Sequence, residues 1–299
     1  MDIFLTGAAG YIGGSVAIRL VEARHRVRGL VRTSEKAELL ARHGVEPVVG
    51  TLEDVALLTR EAREADGVIN AANADHSSSV RALITALHRT GKPFVHTSGS
   101  SVIGDDARGN RVAEAIFDED TPLVVPAAKQ HRRDIDLMVL RAADYGVRSA
   151  VICPSNIYGT GRGVNPRSVQ IPFLADNARE QGFVQIIGRG VNRWSNVHID
   201  DVAELYFLAL AKAPAGAFYF AENGEASFAE IGDAIAARLA LGPVKYLPAE
   251  LAAEKWGESR AYYSFGSNSR VRAKRARREL GWTPRHSSVI SWILSEMPV

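Results

Sequence analysis

Thr6-Gly7-Ala8-Ala9-Gly10-Tyr11-Ile12-Gly13 decides the fold of this chain. Its glycines recur every three residues, after a short apolar run from Ile3 to Leu5. Beyond them Ile12, Val16, Ala17, Leu20 and Val21 recur at helical spacing. One glycine permits a sharp strand-to-helix turn, another lets the backbone approach a pyrophosphate, and the last lets helix and strand pack closely. The first helical turn then offers unpaired N–H groups to the anion. Strand, glycine loop and amphipathic helix, in that order, form the context the motif requires. The segment therefore reads as a dinucleotide site, with Gly7, Ala9, Gly10, Tyr11, Ile12 and Gly13 around the pyrophosphate.

Outward from this loop, the pattern repeats. Val27 to Val31, Val45 to Val49, Val68-Ile69, Phe94 to His96 and Ser149 to Cys153 read as strands. Between them lie helical stretches: one opening at Ser34 as N-cap, then Asp54 to Ala62, Ser77 to His88, and Ala128 to Tyr145 with Gly146 as C-cap. Such alternation predicts an α/β fold, a doubly wound parallel Rossmann sheet with helices on both faces. Ligands then bind at the carboxyl ends of the strands. After Cys153 the texture becomes irregular and rich in Gly, Pro and Asn, which predicts a smaller C-terminal substrate lobe. The expected division is a cofactor domain over 1–155, rejoined by 193–221, and a substrate lobe formed by 156–192 and 222–299.

The dinucleotide's identity turns on the end of the second strand. NAD sites place a carboxylate there for the ribose hydroxyl, but this chain has Val31-Arg32-Thr33-Ser34. A guanidinium pairs with a 2′-phosphate that a carboxylate would repel. The expected cofactor is NADP, with Arg32 on the 2′-phosphate and Thr33, Ser34 and Lys36 as helpers.

Bulk properties bound the remaining choices. The chain has 299 residues, 46% hydrophobic and 23% charged, with a net charge of +2. This is the balance of a globular protein, and the small charge points to neither nucleic acid nor a membrane as partner. No apolar run is long enough to span a bilayer. The single cysteine, Cys153, excludes an internal disulfide. With no leader-like N-terminal segment, this favours a cytoplasmic location.

Several motifs together carry a family resemblance over nearly the whole chain. They are Thr6 to Gly13, Gly50-Thr51-Leu52-Glu53-Asp54, Val68-Ile69-Asn70-Ala71-Ala72 and Pro154-Ser155-Asn156-Ile157-Tyr158-Gly159. To these add Arg193 to Ala203, ending His198-Ile199-Asp200-Asp201-Val202-Ala203, and Glu279-Leu280-Gly281-Trp282-Thr283-Pro284. In this order they resemble the extended short-chain dehydrogenase/reductase superfamily, the NAD-dependent epimerase/dehydratase group. The resemblance implies that Leu52, Ala71, Ala72, Thr97, Pro154, Asn156 and Ile157 lie along the cofactor. It implies that Arg193 matches the arginine that nucleotide-sugar relatives use on a diphosphate. It also implies a homodimer through helices 77–88 and 128–145, with Leu137, Val139 and Leu140 as interface candidates.

The family's usual chemistry uses a Tyr, a Lys four residues later, and a Ser or Thr after the fifth strand. The Lys shares a helix face with the Tyr and favours tyrosinate. Here none of the eight tyrosines is followed by Lys at that spacing. Counting back from Gly146 puts Ala127 in the Tyr position and His131 in the Lys position; shifting by two gives Val125 and Lys129. Aligned on Val102 and Gly104, the Ser/Thr position is Gly99. The candidate replacements are Ser98, Ser100, Lys129, His131 and Tyr158. Metal ligation is not expected. A basic run, Arg270, Arg272, Lys274, Arg275, Arg277 and Arg278, reads as a solvated helix face or as a site for an anion.

Three functions follow as expectations. The first is an NADP-dependent oxidoreductase of a Tyr-less type, acting on a small carbonyl compound. The second is an inactive NADP-binding sensor or scaffold. The third is a nucleotide-sugar epimerase or dehydratase.

Overall fold

A computed structural model describes residues 1–299. Its centre is a seven-stranded sheet of β1 (Asp2–Thr6), β2 (Arg26–Val31), β3 (Glu46–Val49), β4 (Gly67–Asn70), β5 (Pro93–Thr97), β6 (Arg148–Pro154) and β10 (Ala217–Ala221). The spatial order is β3-β2-β1-β4-β5-β6-β10, with every pairing parallel. Ile3, Phe4 and Leu5 of β1 are wholly buried, as a central strand covered on both faces requires. The chain leaves β1 in one direction toward β2 and β3, then returns to β4 on the other side. That reversal opens a crevice at the carboxyl ends of β1 and β4.

The helices form two layers. On one side α1 (Tyr11–Glu22) packs against α7 (Ile199–Lys212), and α2 (Ser34–Arg42) covers β3. On the other, α3 (Val55–Glu64), α4 (Ser77–Ala86) and α5 (Gln130–Arg141) pack in succession. Short 3₁₀ turns at Ala127–Lys129 and Ala142–Tyr145 extend α5 at both ends. Gly146, at φ 72°, closes it in the left-handed conformation that favours glycine.

One expected cap is displaced. Thr33, not Ser34, caps α2: its extended backbone lets Oγ1 accept from the Lys36 N–H at 3.4 Å, and Ser34 becomes the first helical residue. Part of the segment 193–221 also goes elsewhere. Ala217–Ala221 joins the large sheet beside β6. Arg193–His198, as β9, instead lies between β7 (Asn156–Tyr158) and β11 (Glu225–Ser227) in a separate three-stranded sheet.

A second apolar core gathers Tyr158, Trp194, Phe228, Phe265 and Trp292 around β7, β9, β11 and α8 (Phe228–Arg238). Two of the sequence motifs meet here. The Asp201 carboxylate accepts the Arg285 and His286 N–H groups at 2.9 and 3.0 Å. Trp282, 1% exposed, donates its indole N–H to the Asp201 carbonyl. The C-terminal segment is thereby fastened to the start of α7.

Candidate functional site

The glycine loop needs its glycines for contact reasons. Gly7 has φ 76°, and a Cβ there would collide with the Ala71 carbonyl on β4's trailing loop. A Cβ on Gly13 would collide with the Gly7 carbonyl, so α1 starts directly against the turn. Below the loop, polar side chains tie three strand ends together. Thr6 Oγ1 donates to Asn70 Oδ1, and Asn70 Nδ2 is 3.0 Å from His96 Nδ1. Burial, assisted by the Arg132 charge, pushes the His96 pKa down to about 3, so the imidazole stays neutral. Thr97 Oγ1 is 2.8 Å from the Asn70 carbonyl and 2.6 Å from the Tyr206 hydroxyl.

A cleft of about 680 Å³ runs over this floor. Among the expected cofactor residues, Gly7, Ala9, Gly10, Arg32, Leu52, Ala71 and Ala72 line it, joined by Lys36, Asn73, His76, Val164 and Asn165. Arg32 and Lys36 are exposed and make no ion pair. Glu53 is the one carboxylate in the lining; hydrogen bonding to Thr51 holds its pKa below the usual value. The loop geometry thus fits a dinucleotide, and two cations, Arg32 and Lys36, stand in the same wall.

The other expected cofactor residues stand outside that lining. Tyr11 is buried and its hydroxyl donates to the Gly159 carbonyl at 2.8 Å. Ile12 packs against the main core and Gly13 against Gly7. Thr33 caps α2, and Thr97 is spent on Asn70 and Tyr206. Pro154, Asn156 and Ile157 are buried where β6 passes into β7. Both polar side-chain atoms of Asn156 are buried without a hydrogen-bond partner. Residues 159–166 strap the cleft to α1: the Arg162 N–H donates to Ser15 Oγ at 3.1 Å, and its guanidinium pairs with Glu22.

The catalytic candidates fare differently. Ser98 Oγ donates to the buried Asp136 carboxylate at 2.9 Å. Ser100 Oγ is bonded to Ser269 Oγ at 2.7 Å. Tyr158 is 1% exposed in the second core, and its hydroxyl donates to the His286 carbonyl. Burial raises its pKa far above the usual phenol value. Lys129 and His131 stand at the amino end of α5, and neither lines the cofactor cleft. Lys129 Nζ lies 5.0 Å over the Tyr263 ring, and His131 Nε2 is 2.9 Å from the Asp75 carbonyl.

Arg193 donates to Glu225 at 2.9 Å and lies 3.3 Å from Glu230. Arg270 and Arg272 crowd the same Glu225. The basic run is neither bare nor free for an anion: Lys274 pairs with Asp118, Arg275 with Asp120, Arg277 with Glu222 and Arg278 with Glu279.

A second cleft, of about 670 Å³, has Tyr263, the ring under Lys129, in its wall. Ile103, Phe117, Val125, Pro126, Tyr262 and Tyr263 form its largely apolar wall. The two tyrosines come from a wide helical turn at Ser259–Phe265. Nothing in the sequence pattern placed them here, because the contact spans more than a hundred residues. Asp75, Arg132 and Asp136 were likewise missed. The one signal that could have found the last two was their position beside and beyond His131 on α5.

A parallel sheet with the Rossmann strand order and a glycine-lined cleft at its switch point defines a nicotinamide-dinucleotide-binding class of protein. Residues 3–219 match the NAD dependent epimerase/dehydratase family, and the chain belongs to it. It is an oxidoreductase-like member of a nicotinamide-dinucleotide-dependent family. It is 34% identical to the oxidase ucsJ of Acremonium sp, covering 94% of this chain and 92% of that one. A 4-hydroxy-2-methyl-3-oxo-4-farnesyl-3,4-dihydroquinoline-1-oxide ketoreductase of Stigmatella aurantiaca is 28% identical, over 75% and 69% of the two chains. The fold matches dTDP-glucose 4,6-dehydratase of Bacillus anthracis in complex with NAD, at a TM-score of 0.77 and 19% identity, over 99% and 97% of the chains. No helix is long and apolar enough to cross a membrane.

Proposed function

We propose that the chain is an NADP-dependent oxidoreductase acting on a small carbonyl compound. The observation that carries this reading is the pair of unpaired cations, Arg32 and Lys36, in the wall of the glycine-loop cleft. Two cations facing one phosphate favour NADP over NAD by charge alone. Carbonyl chemistry is supported by the similarity to a ketoreductase and by the apolar second cleft. When bound, the dinucleotide supplies or accepts the hydride. The chain's own residues do the rest. The α1 amino terminus and Gly7 to Gly13 hold the pyrophosphate, Arg32 and Lys36 the 2′-phosphate, and the 159–166 strap restricts water above them.

A second reading, the NADP-binding sensor or scaffold, is favoured by one observation. The hydroxyls of Ser98, Ser100 and Tyr158 are all engaged within the protein. Incubation with NADPH and a panel of aldehydes, ketones and imines separates the two. Oxidation of NADPH with at least one carbonyl is expected. Tight NADPH binding with no turnover across the panel would transfer the reading to the sensor. The nucleotide-sugar reading rests on Arg193, which shares Glu225 with Arg270 and Arg272 and lies beside Glu230.

The partner reading is a homodimer across α4 and α5. Val139 is in the core and Met138 and Leu140 pack partly against it, which leaves Leu137 the freest for an interface. Light scattering should return the mass of two chains; the mass of one at micromolar concentration sinks this assembly. The single cysteine, buried and unpaired, supports a reducing compartment.

A further inference from the structure

Asp75, on the loop between β4 and α4, holds Arg132 side-on. Arg132 Nε donates to Asp75 Oδ1 at 2.8 Å and Nη2 to Oδ2 at 2.5 Å. This geometry uses one edge of the guanidinium and leaves Nη1 on the other, with two N–H groups. Its sole partner is Ser101 Oγ, at a marginal 3.5 Å. Nη1 also faces Gly99: a Cβ built there would lie 3.4 Å from it, with no other neighbour within 4 Å.

Arg132 lines neither cleft itself but lies between segments that line one or the other. Asn73, two residues before Asp75, lines the cofactor cleft. Ile103, two residues after Ser101, lines the second. Lys129 reaches over Tyr263, which also lines the second cleft. Arg132 and Lys129 bring two positive charges against one exposed carboxylate, Asp75. His96 behind them is neutral and Asp136 is sealed beneath Ser98. Two cations thus stand against the one exposed carboxylate.

Resting on the oxidoreductase reading, we infer that Arg132 Nη1 binds the oxygen of the substrate carbonyl and stabilises the charge that develops there. Hydride from the reduced nicotinamide dinucleotide forms the new C–H bond. The C=O π pair moves onto oxygen, and water supplies the proton. The carbonyl is reduced to an alcohol and the dinucleotide is oxidised. Donors fixed before reaction cost no reorganisation as the charge appears. The bidentate Asp75 pair supplies that fixity. A larger side chain on Gly99 would lie against Nη1 and cover it.

The test uses the best carbonyl from the panel. Arg132→Met should lower kcat by about 100- to 1000-fold, the usual cost of losing one such donor. NADPH affinity should change by less than about 3-fold, since Arg132 does not line the cofactor cleft. Gly99→Val leaves the Arg132–Asp75 pair untouched and, with its backbone extended at φ −169°, should fold normally. It should show the same loss by covering Nη1. Guanidinium ion added to Arg132→Ala should restore activity by about 10-fold or more, which a merely structural arginine would not permit. Saturation-transfer NMR gives a readout independent of turnover. Acetoacetate should contact the NADP⁺ complex of the native chain and lose that contact in Arg132→Met. Turnover by the native chain with both Arg132→Met and Gly99→Val within about 3-fold of it overturns the proposal. Acetoacetate contact that depends on Arg132, without turnover of any carbonyl, supports the binding role while removing the reductase reading. Neither turnover nor contact in the native chain overturns both.

Discussion

The double substitution Arg32→Ala/Lys36→Ala is expected to weaken NADPH binding by about 100-fold and to leave NADH binding within about 3-fold. Both side chains are exposed at one end of the cleft and neither has a carboxylate partner. Glu53 feels the Arg32 charge only as the last of several causes lowering its pKa, so stability should change little. A charge-assisted bond to phosphate contributes about 1.5 kcal/mol or more, and two of them amount to about 100-fold in affinity. The loss belongs to the 2′-phosphate alone, because the pyrophosphate contacts come from Gly7 to Gly13 and the α1 amino terminus. Fluorescence titration of both reduced dinucleotides measures the ratio. Equal loss for NADPH and NADH would remove Arg32 from the 2′-phosphate, and a native preference for NADH would remove NADP as the cofactor.

The second large effect lies under the site. Asp136 has no exposed surface, and burial raises its pKa to about 7 against the pull of Ser98, Arg133 and Arg132. One carboxylate oxygen has no partner at all. The other groups facing it are Cys153, whose thiol burial pushes well up, and Asp75 beyond Arg132. A carboxyl whose folded pKa lies above its unfolded value binds its proton more tightly when folded. Its stabilising contribution is complete below the unfolded pKa of about 4 and is lost as pH rises through about 7. Asp136→Asn is neutral throughout and keeps an acceptor for Ser98. The variant should therefore gain on the native chain by about 1.4 kcal/mol per pH unit between about 4 and 7, then hold level. Urea unfolding of both proteins at several pH values gives the difference directly. A difference independent of pH would show that Asp136 is ionised in the fold.

Most of the fold could be read because its signals are local. The glycine spacing at Gly7, Gly10 and Gly13, the apolar runs of β1 to β6 and the C-cap Gly146 each depend on neighbours a few residues away. The error over Arg193–His198 has the same origin. An apolar strand pattern says that a segment pairs, but not with which edge, and here β7 and β11 took it rather than β6. The surroundings of the catalytic candidates were hidden for a related reason. Ser98, Ser100 and Tyr158 are ordinary hydroxyls in sequence. Their partners Asp136, Ser269 and His286 lie 38, 169 and 128 residues away, and only the folded chain assigns them.

Sequence alone determined the parallel sheet, the family, the dinucleotide loop and the absence of a Tyr/Lys pair. All of these are written in residue type and short-range spacing. Tertiary structure decided which polar groups remained free. It drew Arg193 and the basic run into ion pairs, closed three hydroxyls into the core, left Arg32 and Lys36 exposed, and left Arg132 Nη1 with only a long contact to Ser101. Freedom of this kind is a balance of burial against partners from distant segments, and no local pattern encodes it.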